Sequence, residues 1–208
     1  MKCVVISSGT IRDYDAMKKY INKKDFIVCN DGGLAHCKGM KIMPDIILGD
    51  FDSVDPRLLG KYKKNKILPF PPEKNYTDSH LAYVYAMENF EKILILGSTG
   101  TRMDHSMTNI NMLAMFLENN KKAILIDDNN IIRPCNSNVA VRKNNMKYIS
   151  LLPLSEKVVF ENSKGLKYPL KGIVLALDKS IGVSNEILDE IAYIKVKEGR
   201  FLIIQSKD

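Results

Sequence analysis

The sequence predicts an α/β domain with a mainly parallel sheet, followed by an all-β sandwich domain. In the first 129 residues, short continuous apolar runs alternate with helical patterns, which is typical of a parallel sheet covered by helices on both faces. From residue 130 onward, apolar runs recur at roughly ten-residue spacing between Asn, Pro, Gly and Lys, without a long amphipathic stretch. We therefore expect domains at residues 1–129 and 130–208.

In the first domain, the apolar runs predict strands at residues 4–6, 26–28, 46–48, 67–68, 93–96 and 123–126. One helix is predicted from about residue 78 to 89, with Thr77 as its N-cap. Its apolar face is expected to include Leu81, Val84, Tyr85 and Glu88. A second helix is predicted from about residue 104 to 118, with Ile110, Leu113 and Leu117 on one face.

In the second domain, strands are predicted at residues 131–132, 139–141, 148–152, 158–160, 173–175, 191–196 and 201–204. Residues 197–200 read as a hairpin loop between the last two strands. Gly199 in that loop is free to take a positive φ.

Composition excludes several classes of protein. No run reaches the roughly 18 apolar residues that a membrane span needs, and the first residues turn polar too soon for a signal peptide. The four cysteines have no close pairing, which favours neither a zinc site nor a disulfide framework and predicts a cytoplasmic protein. The net charge of +7 is scattered along the chain, so we expect neither a nucleic acid nor a membrane partner.

Aspartates follow the predicted strands at the edge where ligands bind in parallel α/β sheets. Asp31 follows the second apolar run, Asp50 and Asp52 the third, and Asp78 and Asp104 begin the two helices. Each alone could shape a turn or favour a helix start. Gathered together, the carboxylates would repel one another unless a cation neutralised them, and Mg²⁺ is the natural choice.

The loop at residues 97–102 supplies groups that suit phosphate. Its two glycines allow a close approach of the backbone ahead of a helix, and Arg102 offers a planar fork to a phosphate. We expect Arg102 to serve phosphate rather than a structural ion pair. Neither a Walker A pattern nor G-x-G-x-x-G is present, which disfavours the common nucleotide-binding classes.

Several short motifs occur in order along the chain. They are Asp31-Gly32-Gly33, Pro44-Asp45, Gly49-Asp50-Phe51-Asp52-Ser53, Lys74 three residues before Thr77-Asp78, Arg102-Met103-Asp104-His105 with Asn109, and Gly182-Val183-Ser184-Asn185. Together they resemble the thiamine pyrophosphokinase family. The resemblance implies an α/β domain followed by a β-sandwich, a homodimer with its active sites at the subunit interface, and transfer of diphosphate from ATP to thiamine with AMP as the second product.

The resemblance also implies roles for individual residues. The catalytic set would be Asp31, Asp50, Asp52, Asp78, Arg102 and Asp104, of which Asp50, Asp52 and Asp78 would hold Mg²⁺. ATP would contact Lys74, Thr77, Ser98 and Arg102. Thiamine would contact Ser184, Asn185 and Tyr168, where Tyr168 stands in a position at which relatives often carry Trp.

One alternative function stays open at this point. An Asp-x-Asp after an apolar strand is also typical of haloacid-dehalogenase-like phosphatases, in which Asp50 would be the nucleophile. Asp127-Asp128 could mimic the late acidic motif of those enzymes. In that class, however, the motif usually follows the first strand, whereas here it follows the third.

Overall fold

The apolar runs of the first domain form a parallel sheet, as predicted. The computed structural model describes residues 1–51, 57, 60, 62, 66–69 and 75–208. The strands are β1 (Cys3–Ile6), β2 (Phe26–Asn30), β3 (Ile46–Gly49), β4 (Lys66–Pro69), β5 (Lys92–Leu96) and β6 (Lys122–Ile126). They lie in the order β4-β3-β2-β1-β5-β6, and each neighbouring pair is parallel.

This strand order has a switch point between β1 and β5. The chain moves outward from β1 through β2 and β3 to β4, then returns to the other side of β1 and continues through β5 to β6. At such a point the loops after the two central strands leave in opposite directions and open a crevice. The topology therefore predicts a ligand site at the loops that follow β1 and β5.

Helices described in this unit include α1 (Tyr14–Lys18), α2 (Leu34–Met40), α3 (Asp78–Asn89) and α4 (Met103–Asn111). The predicted bounds of α3 are confirmed, and Thr77 caps it by accepting a hydrogen bond from the His80 amide at 3.2 Å. The predicted buried face is wrong.

Helix α3 buries Ala82, Tyr83 and Ala86, while Glu88 is exposed. The two small alanines allow the helix to lie close to the sheet, and the larger apolar side chains remain half-buried at its flanks.

The second predicted helix is divided in two. Helix α4 ends at Asn111, and α5 (Leu113–Glu118) begins after Met112. Helix α4 buries the polar side chains of Ser106 and Asn109 against a loop, whereas α5 buries Leu113 and Phe116 and packs against β7 (Asn130–Cys135). The two helices thus serve different packing partners, which a single apolar periodicity did not reveal.

The later strands form two antiparallel sheets, which confirms the predicted sandwich. Strands β7, β9 (Tyr148–Pro153) and β13 (Phe201–Ser206) pair antiparallel in the order β7-β13-β9. The other has the order β11-β10-β12-β8 and comprises β8 (Val139–Arg142), β10 (Lys157–Lys164), β11 (Val174–Ala176) and β12 (Ile191–Glu198). Apolar side chains from both sheets form one core. In it, the rings of Phe160 and Phe201 pack edge to face with their centroids 5.3 Å apart.

The loop at residues 197–200 is not a hairpin. Strand β12 pairs with β10 and β8, whereas β13 pairs with β7 and β9, so the loop connects the two sheets of the sandwich. The positive φ expected at Gly199 is present, at 101°. Local sequence indicated a tight turn, but which strands pair is decided by the core that lies between the sheets.

Tertiary packing divides the chain into two units. The first comprises Met1–Met112 with Asn119–Asp128, and the second comprises Leu113–Glu118 with Asn129–Asp208. Helix α5 therefore belongs with the β-rich unit, although it precedes residue 130. In the part of the chain that the structure describes, no helix is both long enough and apolar enough to cross a membrane.

Candidate active site

A polar pocket of about 300 Å³ opens at the switch point of the parallel sheet. Loops after β1 and β5 form most of its wall, and the first turns of α3 and α4 complete it. The lining residues are Ser7, Ser8, Gly9, Thr10, Ser79, Gly97, Ser98, Thr99, Gly100, Thr101, Arg102, His105, Ser106 and Asn109. A pocket rich in hydroxyl groups beside an arginine suits a polar anion better than an apolar ligand.

The two loops are joined through their backbones. The amide of Gly9 donates to the carbonyl of Gly97 at 2.6 Å, and the amide of Thr10 donates to the carbonyl of Thr99 at 2.7 Å. A Cβ at Gly9 would lie 2.3 Å from the Thr99 carbonyl oxygen, so no other residue type fits there without displacing the β5 loop.

Side chains of α4 and of the segment after β6 fix the shape of the β5 loop. Asn109 donates to the Ser98 carbonyl at 2.7 Å. The Ser106 hydroxyl accepts from the Gly100 amide at 3.0 Å, and the Asp127 carboxylate accepts from the Thr99 hydroxyl at 2.8 Å. The Gly100 amide is therefore committed to Ser106, which differs from the expectation that it faces phosphate.

Ser98 lies at the base of the pocket and is only 2% exposed. Beneath it lies Tyr83 of α3, whose side chain is fully buried. Burial raises the pKa of Tyr83, and the nearby Ser98 hydroxyl partly offsets that rise. Tyr83 therefore stays neutral and supports the pocket floor from below.

A chain of polar side chains connects α3 to the ends of β1 and β2. The Asn30 amide group donates to the Ser79 hydroxyl at 3.3 Å, and Ser79 lies 3.5 Å from the Ser7 hydroxyl. These contacts place the first turn of α3, with Asp78 at its start, beside the carboxyl ends of the two strands.

The Asp31-Gly32-Gly33 motif forms a short 3-10 turn directly after β2. A Cβ at Gly33 would lie 2.2 Å from the Ile6 carbonyl oxygen, and one at Gly32 would lie 2.5 Å from the Ser8 side chain. The glycines are needed because this turn passes against the β1 loop. Residues 32 and 33 thus support a wall of the pocket.

Arg102 and Asp104 form an exposed ion pair at the start of α4. The Arg102 Nη2 donates to Asp104 Oδ2 at 2.6 Å, and Nε donates to Oδ1 at 3.3 Å. This fork lowers the pKa of Asp104 from 3.8 to about 2. Because the side chains are 70% and 63% exposed, solvent screens the pair and it contributes little to stability. Arg102 was expected to serve phosphate rather than a structural ion pair; the structure shows it in an exposed pair with Asp104, and its contact with phosphate stays a prediction.

The remaining predicted carboxylates are placed as follows. Asp50 comes directly after β3 and is half-buried, and Asp78 is the half-buried first residue of α3. Asp52 and Lys74 lie outside the described residues, and the structure describes the backbone of Asp31 but not its side chain. Within the described residues, no group of three or more His, Cys, Asp or Glu side chains is close enough to hold a metal ion. The set of Asp50, Asp52 and Asp78 stays a prediction.

In the second unit, Asn185 holds the backbone around Tyr168. Asn185 is 4% exposed, and its Oδ1 accepts from the amides of Tyr168 at 3.0 Å and Glu186 at 2.8 Å. Its Nδ2 donates to the Tyr168 carbonyl at 2.7 Å. Ser184 is exposed with φ at 58°, and the Tyr168 ring is 58% exposed. Ser184 and Tyr168 thus remain open to a ligand, whereas the side-chain amide of Asn185 is occupied.

Comparison with known proteins agrees with this geometry. The model of the thiamin pyrophosphokinase catalytic domain matches residues 17–125, and that of the thiamin pyrophosphokinase vitamin B1 binding domain matches residues 136–201. The chain belongs to the thiamine pyrophosphokinase family.

Individual relatives support this membership. Thiamine pyrophosphokinase of Bacillus subtilis is 32% identical over 98% of this chain and 98% of its own length. Thiamin pyrophosphokinase 1 of Caenorhabditis elegans is 29% identical over 84% of this chain and 76% of its own. A crystal structure of the Bacillus subtilis thiamine pyrophosphokinase superimposes with a TM-score of 0.90 at 27% identity, covering all of both chains.

Membership of this family makes the protein an enzyme of the thiamine pyrophosphokinase class and leaves the phosphatase alternative without support. The acidic pair after β6, Asp127-Asp128, has a structural role instead. Asp127 binds the Thr99 hydroxyl, and the Asp128 carboxylate accepts from the amides of Arg12 and Asp13, both at 3.0 Å. Both residues secure pocket loops.

The β1 loop was not among the predicted site residues, although it lines the pocket. Its signal in the sequence is Ser7-Ser8-Gly9-Thr10, which directly follows an apolar run, as Asp31 and Asp50 do. Ser79 and Ser106 were also missed. Their role depends on tertiary contacts, and a serine in a helix has no distinctive signal of its own.

Proposed function

We propose that the protein transfers the terminal diphosphate of ATP to the hydroxyl of thiamine. The thiamine oxygen forms a bond to the β-phosphorus, the bond between that phosphorus and the bridging α-oxygen breaks, and AMP leaves while the hydroxyl proton is released. The observation that carries this proposal is the polar pocket at the switch point, where two interlocked loops, hydroxyl groups and Arg102 converge. Family membership supplies the substrates.

We propose that this pocket binds the polyphosphate. Hydroxyl groups of Ser8, Thr10 and Thr101 lie along its wall and suit phosphate oxygens. Arg102 would leave Asp104 for a phosphate, because a guanidinium fork matches both partners and the present pair is screened by water. Ser98, Thr77 and Lys74 complete the proposed ATP contacts.

Mg²⁺ fits the donor chemistry of this sheet edge. Asp50 and Asp78 are carboxylates, the ligand type that Mg²⁺ prefers, and the contacts of Asn30 with Ser79 place the start of α3 beside β2, the neighbour of β3. We propose that Asp50, Asp52 and Asp78 hold it, with Asp31 and Asp104 nearby. When bound, it would neutralise charge on the polyphosphate.

We propose that residues 1–129 bind ATP and Mg²⁺ and that residues 130–208 bind thiamine. Tyr168 would offer its exposed ring face to the cationic thiazolium, and Ser184 its hydroxyl. Asn185 would act through Tyr168, whose backbone it holds.

The site is proposed to be completed across a homodimer interface. Exposed apolar side chains of the second unit, Leu177, Ile181 and Val183, support an interface there. An active monomer at sedimentation equilibrium would contradict the shared site.

A cytoplasmic location is also proposed. All four cysteines are buried and none forms a disulfide, which suits a reducing compartment. Fractionation of cells that express the chain would test this.

The decisive experiment incubates the protein with ATP, Mg²⁺ and thiamine and identifies the products. AMP with thiamine diphosphate is expected. ADP would indicate transfer of a single phosphoryl group, and inorganic phosphate released without thiamine would indicate a phosphatase; either result refutes the proposal.

Asp52→Asn tests the metal site, with the exposed Asp15→Asn as the matched control. Turnover should fall by about two orders of magnitude or more in Asp52→Asn because a charged ligand is lost, while the unfolding temperature stays unchanged. Near-normal activity in that variant, or full activity of the wild type in excess chelator, would contradict the assignment.

A further inference from the structure

His36 lies behind the pocket wall and bonds to the β1 loop from the protein side. Its Nε2 is 2.6 Å from the Gly9 carbonyl oxygen, and its Nδ1 is 3.0 Å from the Tyr14 hydroxyl. The rings of Tyr14 and His36 pack edge to face with centroids 5.7 Å apart. Neither residue lines the pocket itself.

For a neutral His36 imidazole, the donors and acceptors in this chain of contacts have one consistent arrangement. A carbonyl oxygen only accepts, so His36 must carry its proton on Nε2 and donate to Gly9. The Nδ1 of the neutral ring then accepts from the Tyr14 hydroxyl. The Gly9 carbonyl thereby selects the tautomer of His36, and the Tyr14 hydroxyl helps to fix the orientation of its ring.

Gly9, which accepts the hydrogen bond from His36, also lines the pocket. Its amide is bound to the Gly97 carbonyl and its neighbour Thr10 to the Thr99 carbonyl, so Gly9 is held on one side by His36 and on the other by the β5 loop. A Cβ at Gly97 would lie 3.4 Å from Cδ2 of His36, so the ring also lies close to the second loop. A shift of the His36 ring would therefore displace both walls.

We propose that Tyr14 and His36 are positioning residues that hold the loop at residues 7–10 in the shape that binds the polyphosphate. The inference rests on the proposed function for the identity of the ligand, but the geometry on which it stands is independent of that function. Binding by pre-shaped loops avoids the entropy cost of ordering them, so loosening them should weaken ATP binding and leave the chemical step nearly unchanged.

Tyr14→Phe removes the hydroxyl and keeps the ring, and Tyr20→Phe is the matched control because Tyr20 is a partly exposed tyrosine just beyond α1. In Tyr14→Phe we expect the KM for ATP to rise about fivefold, as for the loss of one hydrogen bond, with kcat and the KM for thiamine unchanged. His36→Ala should raise the KM for ATP by about tenfold or more. His36→Gln should raise this KM less, because its side-chain amide can still donate to the Gly9 carbonyl.

Gly39→Ala provides a second route to the same effect. A Cβ at Gly39 would lie 2.3 Å from the Tyr14 ring, so the ring must move although both hydrogen-bonding groups remain. Alanine favours the helix more than glycine does, so a general loss of helix stability is not expected. A rise in the KM for ATP similar to that of Tyr14→Phe would support positioning through the ring.

Hydrogen exchange of the Gly9 and Thr10 amides, measured without substrates, separates this inference from the proposed function. Faster exchange in Tyr14→Phe than in Tyr20→Phe supports positioning even if the wild type makes no thiamine diphosphate. Unchanged exchange together with kinetics equal to those of Tyr20→Phe overturns it. A fall in kcat and in unfolding temperature together with a rise in both KM values also overturns it, because that pattern indicates a structural role only.

Discussion

Asn185→Ala should destabilise the second unit as well as weaken thiamine binding. The substitution removes three hydrogen bonds, two accepted from the Tyr168 and Glu186 amides and one donated to the Tyr168 carbonyl. At about 1 kcal/mol per bond, the free energy of unfolding should fall by roughly 2–4 kcal/mol. The lower part of that range is favoured, since the Tyr168 ring is exposed and water can reach part of the released backbone.

The assay combines urea denaturation with hydrogen exchange at the Tyr168 and Glu186 amides. The free energy of unfolding of Asn185→Asp should lie between those of the wild type and Asn185→Ala. The Asp carboxylate can still accept the two hydrogen bonds, but it has no donor for the Tyr168 carbonyl. Ser184→Ala is the control, since it leaves the Asn185 contacts in place. If Asn185→Ala unfolds at the wild-type urea concentration and the Tyr168 amide stays protected, Asn185 does not hold this segment and a direct contact with thiamine becomes the better interpretation.

Two further predictions concern the connection between sheets and the Arg102 pair. Gly172 and Gly199 both have positive φ, but a Cβ at Gly172 meets nothing within 4 Å whereas one at Gly199 would lie 2.4 Å from the Lys157 carbonyl oxygen. Gly172→Ala should therefore lower the free energy of unfolding, measured by urea denaturation, by about 1 kcal/mol, and Gly199→Ala should lower it by about 2 kcal/mol more. Equal losses in the two variants would contradict this packing. The pKa of Asp104 is lowered, so its ion pair is complete above about pH 4 and is lost as the pH falls through about 2. Binding of an ATP analogue in the absence of metal should draw Arg102 away from Asp104 and raise the pKa of Asp104 toward 3.8, as measured by an NMR titration. An unchanged pKa would show that Arg102 keeps Asp104 as its partner.

Local sequence was sufficient for the strands because burial on both faces leaves a continuous apolar run. The run at residues 93–96 lies within β5, and the run at 148–152 lies within β9. Local sequence failed where a buried face is polar or small. Helix α4 buries Ser106 and Asn109 because they bind the β5 loop, and α3 buries Ala82 and Ala86, so the largest apolar side chains did not mark the inner face.

The sequence by itself determined the order and type of the elements, the glycines at the tight connections and the motifs that indicate the family. These features depend on neighbours in the chain, and such neighbours are always close in space. Tertiary structure alone decided that the Ser7-Ser8-Gly9-Thr10 segment forms a wall of the pocket, that Asn185 is occupied by the Tyr168 backbone and that residues 197–200 connect two sheets. Each of these depends on contacts between residues distant in sequence, which form only when the strands have paired and the core has closed.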